Sequence, residues 1–248
     1  MRLTTGGVVD IIFLRSSIFG FHTEVRLYDA VHRIQGNYAE AEPLYERCQA
    51  IKEKVLGPEH PSLATTLNNR AGLLSICYSA GKYDQAEPLY VRAIAIGEKA
   101  LGPEHPDLVV WLNNRAGLLG TQGKYAEAQP LFERALAINE GALGVDHPST
   151  ITSRAWMADL YTKQGLLDKA SPLLEEVVSA RERVQGCDHP DVASALNNRA
   201  GLLESQGKYE EAEPLFKRSL AIDEKVYGPD HPEVATDLNN WAVLLYKQ

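Results

Sequence analysis

Five histidines, His60, His105, His147, His189 and His231, each stand directly before a proline. Imidazole is a common ligand for zinc and related metals, so a set of five first suggests a metal centre. The spacing argues against one. Neighbouring histidines are separated by 45, 42, 42 and 42 residues, one in each copy of a loop such as Gly57-Pro58-Glu59-His60-Pro61 or Gly228-Pro229-Asp230-His231-Pro232. Side chains strung out at that interval lie along an edge and do not converge on an ion, so they read as turn residues. The Gly-Lys-Tyr turns at Gly81, Gly123 and Gly207 lack the glycine spacing and the following Ser/Thr of a phosphate loop. No Ser-His-Asp or Cys-His pair has a supporting context. The sequence therefore predicts no catalytic residue, no cofactor and no metal.

The residues with recognition chemistry are amides. Asn68-Asn69, Asn113-Asn114, Asn197-Asn198 and Asn239-Asn240 recur at one phase of the repeat. At about 100° per residue, Asn113, Gly117, Gly120 and Thr121 point away from an apolar stripe of Leu112, Ala116 and Leu119, with Asn114 beyond them. The same face carries Thr65, Asn68, Asn69, Gly72 and Ser75 in one unit, and Ser194, Asn197, Asn198, Gly201 and Glu204 in another. A side-chain amide both donates to and accepts from a peptide backbone, and small residues leave room for one. These positions predict a groove for a protein or peptide ligand. The competing reading is that the asparagines bond to neighbouring helices or water. One unit departs from the pattern, reading Arg154-Ala155-Trp156-Met157-Ala158-Asp159. Trp156 takes the phase of Asn114 and Asn198, Asp159 replaces a groove glycine, and Lys163 follows a turn later. An aromatic anchor between opposite charges suits an interface hot spot; filling a gap between two units suits it as well.

These residues need elements to carry them, and the repeat supplies helix pairs. The period of about 42 residues marks a stacked array, which grows unit by unit without a single central core. In each unit a proline opens the first helix, where its missing N–H costs nothing. Leu112, Ala116 and Leu119 give that helix its apolar stripe, and Gln122-Gly123-Lys124 ends it. Tyr125, Ala128, Phe132, Ala135 and Ile138 line the second helix. Proline recurs near the start of the second helices at Pro43, Pro88, Pro130, Pro172 and Pro214, where at most one hydrogen bond is lost, so each helix is expected to continue. Units begin near Pro61, Pro106, Pro148 and Pro190, after a worn one. Residues 1–24 form a divergent segment, read as an eroded repeat end with a targeting signal as the alternative. Residues 25–248 form an array of about five units and a C-terminal half unit. Three extra residues fall within Ser75–Ala80. The last helix, from Leu238, has no partner behind it, as in a fragment of a longer array or an improvised cap.

Bulk composition narrows the partners. The 248-residue chain has 25 Lys plus Arg against 33 Asp plus Glu, a net charge of −8. That argues against nucleic acid and anionic membrane, which need a basic surface. Three scattered cysteines, Cys48, Cys77 and Cys187, give no disulfide framework and fit a reducing, cytoplasmic setting. No run of about 18 apolar residues is present to span a membrane.

Helix pairs with a Leu/Ala stripe, Gly-Lys-Tyr, then Ala and Phe/Tyr at fixed spacing resemble tetratricopeptide repeats. The 42-residue period, Asn-Asn-x-Ala, Gln-Gly-Lys-Tyr-x-Glu-Ala-Glu-Pro-Leu and Gly-Pro-Glu/Asp-His-Pro are similar to the kinesin-light-chain subtype. The resemblance covers residues 25 to 248. It implies an all-α fold, a right-handed superhelical solenoid of antiparallel helix pairs, whose concave face, lined by first helices, holds an extended peptide. The implied role is a protein-binding scaffold without chemistry of its own. Alternatives are the sensor portion of a larger signalling NTPase and a kinesin light chain cargo adaptor. The chain lacks the sustained heptads that would join a kinesin motor. The positions where co-chaperone repeats clamp a carboxylate hold Asn and Gly here. Arg70, Arg115 and Arg199 stand where the family commonly has Leu. On the flank of the first helix a half-buried guanidinium needs a carboxylate, and Glu87, Glu127, Glu211 and Glu213, at the starts of the second helices, are the candidates.

Overall fold

The computed structural model describes residues 37–77 and 82–248. All regular structure there is helical: α1 Asn37–Leu56, α2 Pro61–Cys77, α3 Tyr83–Leu101, α4 Leu108–Thr121, α5 Tyr125–Leu143, α6 Pro148–Lys163, α7 Leu167–Gln185, α8 Pro190–Ser205, α9 Tyr209–Tyr227 and α10 Pro232–Lys247. The chain divides after Lys124 into two compact units. Even-numbered helices are first helices of a pair and odd-numbered ones second helices. The expectations for residues 1–24, and for a worn first helix before α1, lie outside the described residues. So does the end of the Ser75–Ala80 insertion; α2 has 17 residues where α6 and α8 have 16.

Two turns, each used repeatedly, shape both units. Within a pair, the first helix ends on a left-handed glycine. Gly123, Gly165 and Gly207 all have φ of 74°, and the next residue's N–H reaches back five residues, as from Lys208 to the Leu203 carbonyl at 2.9 Å. This is the Schellman arrangement, which satisfies carbonyls left over at the helix end and favours a residue without a Cβ. Between pairs, the second helix ends on another left-handed glycine and the chain turns into the histidine. Nδ1 of His60, His105, His147, His189 and His231 accepts a hydrogen bond from the backbone N–H two residues on, at 3.1 to 3.2 Å. His60, His147, His189 and His231 are thus N-caps, doing with a ring nitrogen what Ser or Asp usually does; His105 makes the same contact in the turn before α4, where the helix starts at Leu108 rather than at Pro106 and Asp107 holds the N-cap position. The expectation of turn residues holds, and the ring supplies its physical reason.

The five prolines of the second helices sit inside unbroken helices, each on the exposed side. Water can satisfy the carbonyl that the missing N–H leaves.

Packing repeats the same small core. In the first unit it comprises Ala71, Leu74, Ala86, Tyr90 and Leu118. In the second it recurs as Ala158, Ala170, Leu174 and Leu202, and again as Ala200, Leu203, Ala212, Phe216 and Leu244. Two facing alanines bring the helices of a pair together. A large residue fills the space beside them, and a leucine from the next first helix closes it. Since that leucine belongs to the neighbour, a pair cannot bury its own core alone.

A second recurring position lies where each second helix meets the following first helix, at residues 14 apart. Its occupants differ every time. Lys52 Nζ donates to Thr66 Oγ1 and the Ser62 carbonyl, both at 2.8 Å. Gly97 lies under the Trp111 ring so closely that a Cβ there would come within 2.1 Å of Cζ3. Asn139 Nδ2 donates to Ser153 Oγ at 3.0 Å and the Ser149 carbonyl at 3.2 Å. Arg181, fully buried, stands at the position paired with Ala195 and donates to the Asp191 carbonyl at 2.6 Å. Burial pulls the Arg181 pKa down and the nearby Asp191 charge partly opposes it. The last pair is Asp223 and Asp237, two buried acids that face one another.

Candidate peptide-binding surface

The first-helix face is built from asparagine rungs. In the first unit Asn114 Nδ2 donates to Asn68 Oδ1 at 3.0 Å, and Asn68 Nδ2 donates to Asn69 Oδ1 at 3.2 Å. In the second unit the same rung forms between equivalent residues, Asn240 Nδ2 donating to Asn197 Oδ1 at 3.2 Å. Asn197 in turn donates to Asp237 Oδ1 at 2.9 Å. Asn68 and Asn197, the leading residues of their pairs, bond to a neighbouring first helix. Asn68 and Asn113 are buried, and Asn113 Oδ1 is enclosed without a hydrogen-bond partner. Asn69, Asn114, Asn197, Asn198 and Asn240 are half-buried, and Asn239 is exposed. The amides thus interlock adjacent first helices, and only part of the set presents polar atoms outward.

Room exists beside them. A Cβ placed on Gly120 or Gly201 would meet nothing within 4 Å. Ser75, assigned to the same face, turns its hydroxyl inward, donating to the Ala71 carbonyl at 2.7 Å. Burial drives the hydroxyl pKa of Tyr90 well above its usual value, a rise that Ser75 partly opposes.

Trp156 is half-buried, with its ring centroid 6.2 Å from that of Phe132 and tilted by 55°. It therefore packs on a second helix while keeping part of its surface open. Asp159 is exposed and pairs with Lys163 at 2.7 Å, one turn away on α6. This ion pair flanks the indole on the same helix.

The flanking arginines are paired. Arg70 lies 2.5 Å from Glu46, Arg115 3.4 Å from Glu87 and Arg199 2.7 Å from Glu175. Each carboxylate belongs to the preceding second helix. Glu87 was among the expected partners; Glu46 and Glu175 were not, because a first helix faces the preceding second helix as well as its own. The other residue missed by sequence reasoning is Asp237. It reads as a solvent-facing acid on a helical wheel, yet sits at the root of the Asn197–Asn240 rung.

Among the described residues, no cluster of His, Cys, Asp or Glu is arranged to hold a metal ion, and no helix is long and apolar enough to cross a membrane.

Alternating helices, capped loops and shared cores define a helix-pair repeat protein. The tetratricopeptide repeat model matches residues 30–76, 72–141, 108–182, 150–225 and 191–248, and the chain belongs to that family. Among solved structures it is similar to a Podosopora anserina protein named as a kinesin light chain with nearly identical TPR-like repeats. The identity is 29%, over 86% of this chain and 96% of that one, with a TM-score of 0.67; a singly substituted form of the same protein gives 0.68. BtubC (BKLC) from P. vanneervenii shares the fold at 20% identity, covering 84% of this chain and 82% of that one, with a TM-score of 0.68. No curated protein matches the chain. All-α tetratricopeptide folds of this kind are protein-interaction scaffolds.

Proposed function

We propose that the chain binds an extended peptide along its first-helix faces, without chemistry of its own. The observation that carries this reading is the pair of equivalent asparagine rungs, Asn114–Asn68 and Asn240–Asn197. An amide already held by one hydrogen bond has lost most of its rotamer freedom, so its remaining donor and acceptor sites engage a backbone at lower entropic cost. Open space above Gly120 and Gly201 admits that backbone. Asn69, Asn198 and Asn239 extend the polar row of their own units, while Asn68 and Asn113 act beneath it. Trp156 offers an apolar anchor, and the Asp159–Lys163 ion pair offers charge further along the same helix.

The test is peptide selection from a random library on the intact protein, followed by calorimetry on the selected sequences. Trp156→Ala should weaken binding by roughly 2 kcal/mol or more. Asn114→Ala and Asn240→Ala should each weaken it by about 1 kcal/mol. Selected peptides that bind all three variants as well as wild type would place the site elsewhere.

The likeness to the Podosopora protein favours one narrower reading, a cargo adaptor of the kinesin-light-chain kind. Co-purification with a kinesin heavy chain would support it, and consistent failure to associate would remove it.

A further inference from the structure

We infer that Asp223 and Asp237 share a proton in the native protein, and that this proton latches α10 onto α8 and α9, so that the last helix loosens when the proton leaves. The inference stands apart from the peptide-binding reading.

The surroundings of the pair favour a shared proton. Both side chains are buried, with 5% and 2% of their surface exposed, and each acid faces the other across the junction of α9 and α10. Two ionised carboxylates have only acceptors and repel, whereas one proton between them lets one donate to the other. Ser219 has one hydroxyl hydrogen for three acceptors, the Ala193 carbonyl at 2.8 Å and the two Asp237 oxygens at 3.1 and 3.2 Å, so it offsets a charge on Asp237 only in part.

Among the described residues, no positive group offsets the pair. From α9 the groups facing it are Asp223 and Ser219, and from the first turn of α10 Glu233 adds another negative charge. From α8 come the Asn197 amide and the Ala193 carbonyl, both neutral. Asp223 Oδ1 is enclosed without a partner. Burial first, then the neighbouring acids, push Asp237 up to about 7 and Asp223 up to about 6. At the four equivalent positions elsewhere the occupants are Lys52 with Thr66, Gly97 with Trp111, Asn139 with Ser153, and Arg181 with Ala195, none of which needs a shared proton.

The direction of the effect follows. The folded pair holds its proton more tightly than the unfolded chain does. Its contribution to stability is complete below the ordinary aspartate range of about 4 and is lost as pH rises through about 6 to 7. Because Asp237 accepts from Asn197, and Asn197 from Asn240, the loss reaches the outer amide rung.

Two measurements test this. Carboxyl carbon shifts of the intact protein, followed from about pH 4 to pH 9, should show one of these two aspartates releasing its proton near neutrality. Amide exchange at Leu244, corrected for its intrinsic pH dependence, should be roughly tenfold slower in Asp237→Asn than in wild type at about pH 8, and similar at about pH 5. Asn keeps the acceptor for Asn197 and supplies a donor towards Asp223, so the variant mimics the protonated state. Asp223→Asn provides the same test from the other side should Asp237→Asn fail to fold. Both carboxyls titrating in the ordinary aspartate range would overturn the inference. So would variants that keep the wild-type pH dependence.

Discussion

Two junctions of this protein use the same backbone position in opposite ways. Between α3 and α4, Gly97 gives up its side chain so that Trp111 can lie against the helix backbone. Between α9 and α10, Asp223 and Asp237 bring two acids into the space that the indole fills in the other. One contact depends on volume and ignores pH. The other depends on a proton, and its strength changes with pH. Repeats with nearly the same outer sequence can thus carry junctions of unlike chemistry, and a unit taken from one site would not fit at another.

The largest expected effect is at the volume-locked junction. Gly97→Asn copies the residue used at position 139, but its Cβ would lie within 2.1 Å of Trp111. The cost should be about 3 kcal/mol, read as a shift in denaturation midpoint without a change in slope. A near-neutral result would mean that Trp111 can move aside and that shape does not lock this junction. Arg181→Ala strips the Asp191 carbonyl of its donor and opens space inside, for a cost of about 2 kcal/mol by the same measurement. At the proton-dependent junction the sign changes with conditions. Asp237→Asn should be nearly neutral at about pH 5 and stabilising by on the order of 1 kcal/mol at about pH 8, by chemical denaturation at both values. His189→Ala, at a loop cap away from either junction, should cost about 1 kcal/mol at any pH where the ring is neutral. Smallest of all, Arg199→Ala should cost under about 1 kcal/mol, because its partner Glu175 is largely exposed. A cost of several kcal/mol there would promote the surface pairs to the rank of the junctions.

The spacing of His-Pro and Gly-Lys-Tyr made the helix pairs legible, since the period shows in the residue types themselves. The facing alanines and the continued helices around Pro43 to Pro214 were legible for the same reason: local sterics decide them. The junction pairs were not. Residues 14 apart on different helices meet only through the angle at which pairs stack, and Asp223 and Asp237 look like ordinary surface acids until that angle is known. Asn68 and Asn113 show the same limit. A helical wheel gives one direction away from the apolar stripe, but a first helix has neighbours on both flanks, and the wheel does not say which polar residues those neighbours cover. The arginines fell between the two cases. Their need for a carboxylate was readable from burial and charge, and the helix supplying it was readable only at Glu87.

The histidine caps give the protein its own set of spectroscopic markers. A ring nitrogen that accepts a backbone hydrogen bond carries no proton, so while a loop is formed its imidazole hydrogen stays on Nε2. Each cap is a local contact between the ring and a backbone two residues away, and it breaks when its own loop opens, whatever the state of the others. Selective nitrogen labelling of histidine would thus place one reporter at every inter-pair loop, without foreign probes. As the chain is heated or denatured, the five tautomer signals would show whether the loops are lost together or one after another, and from which end the loss begins.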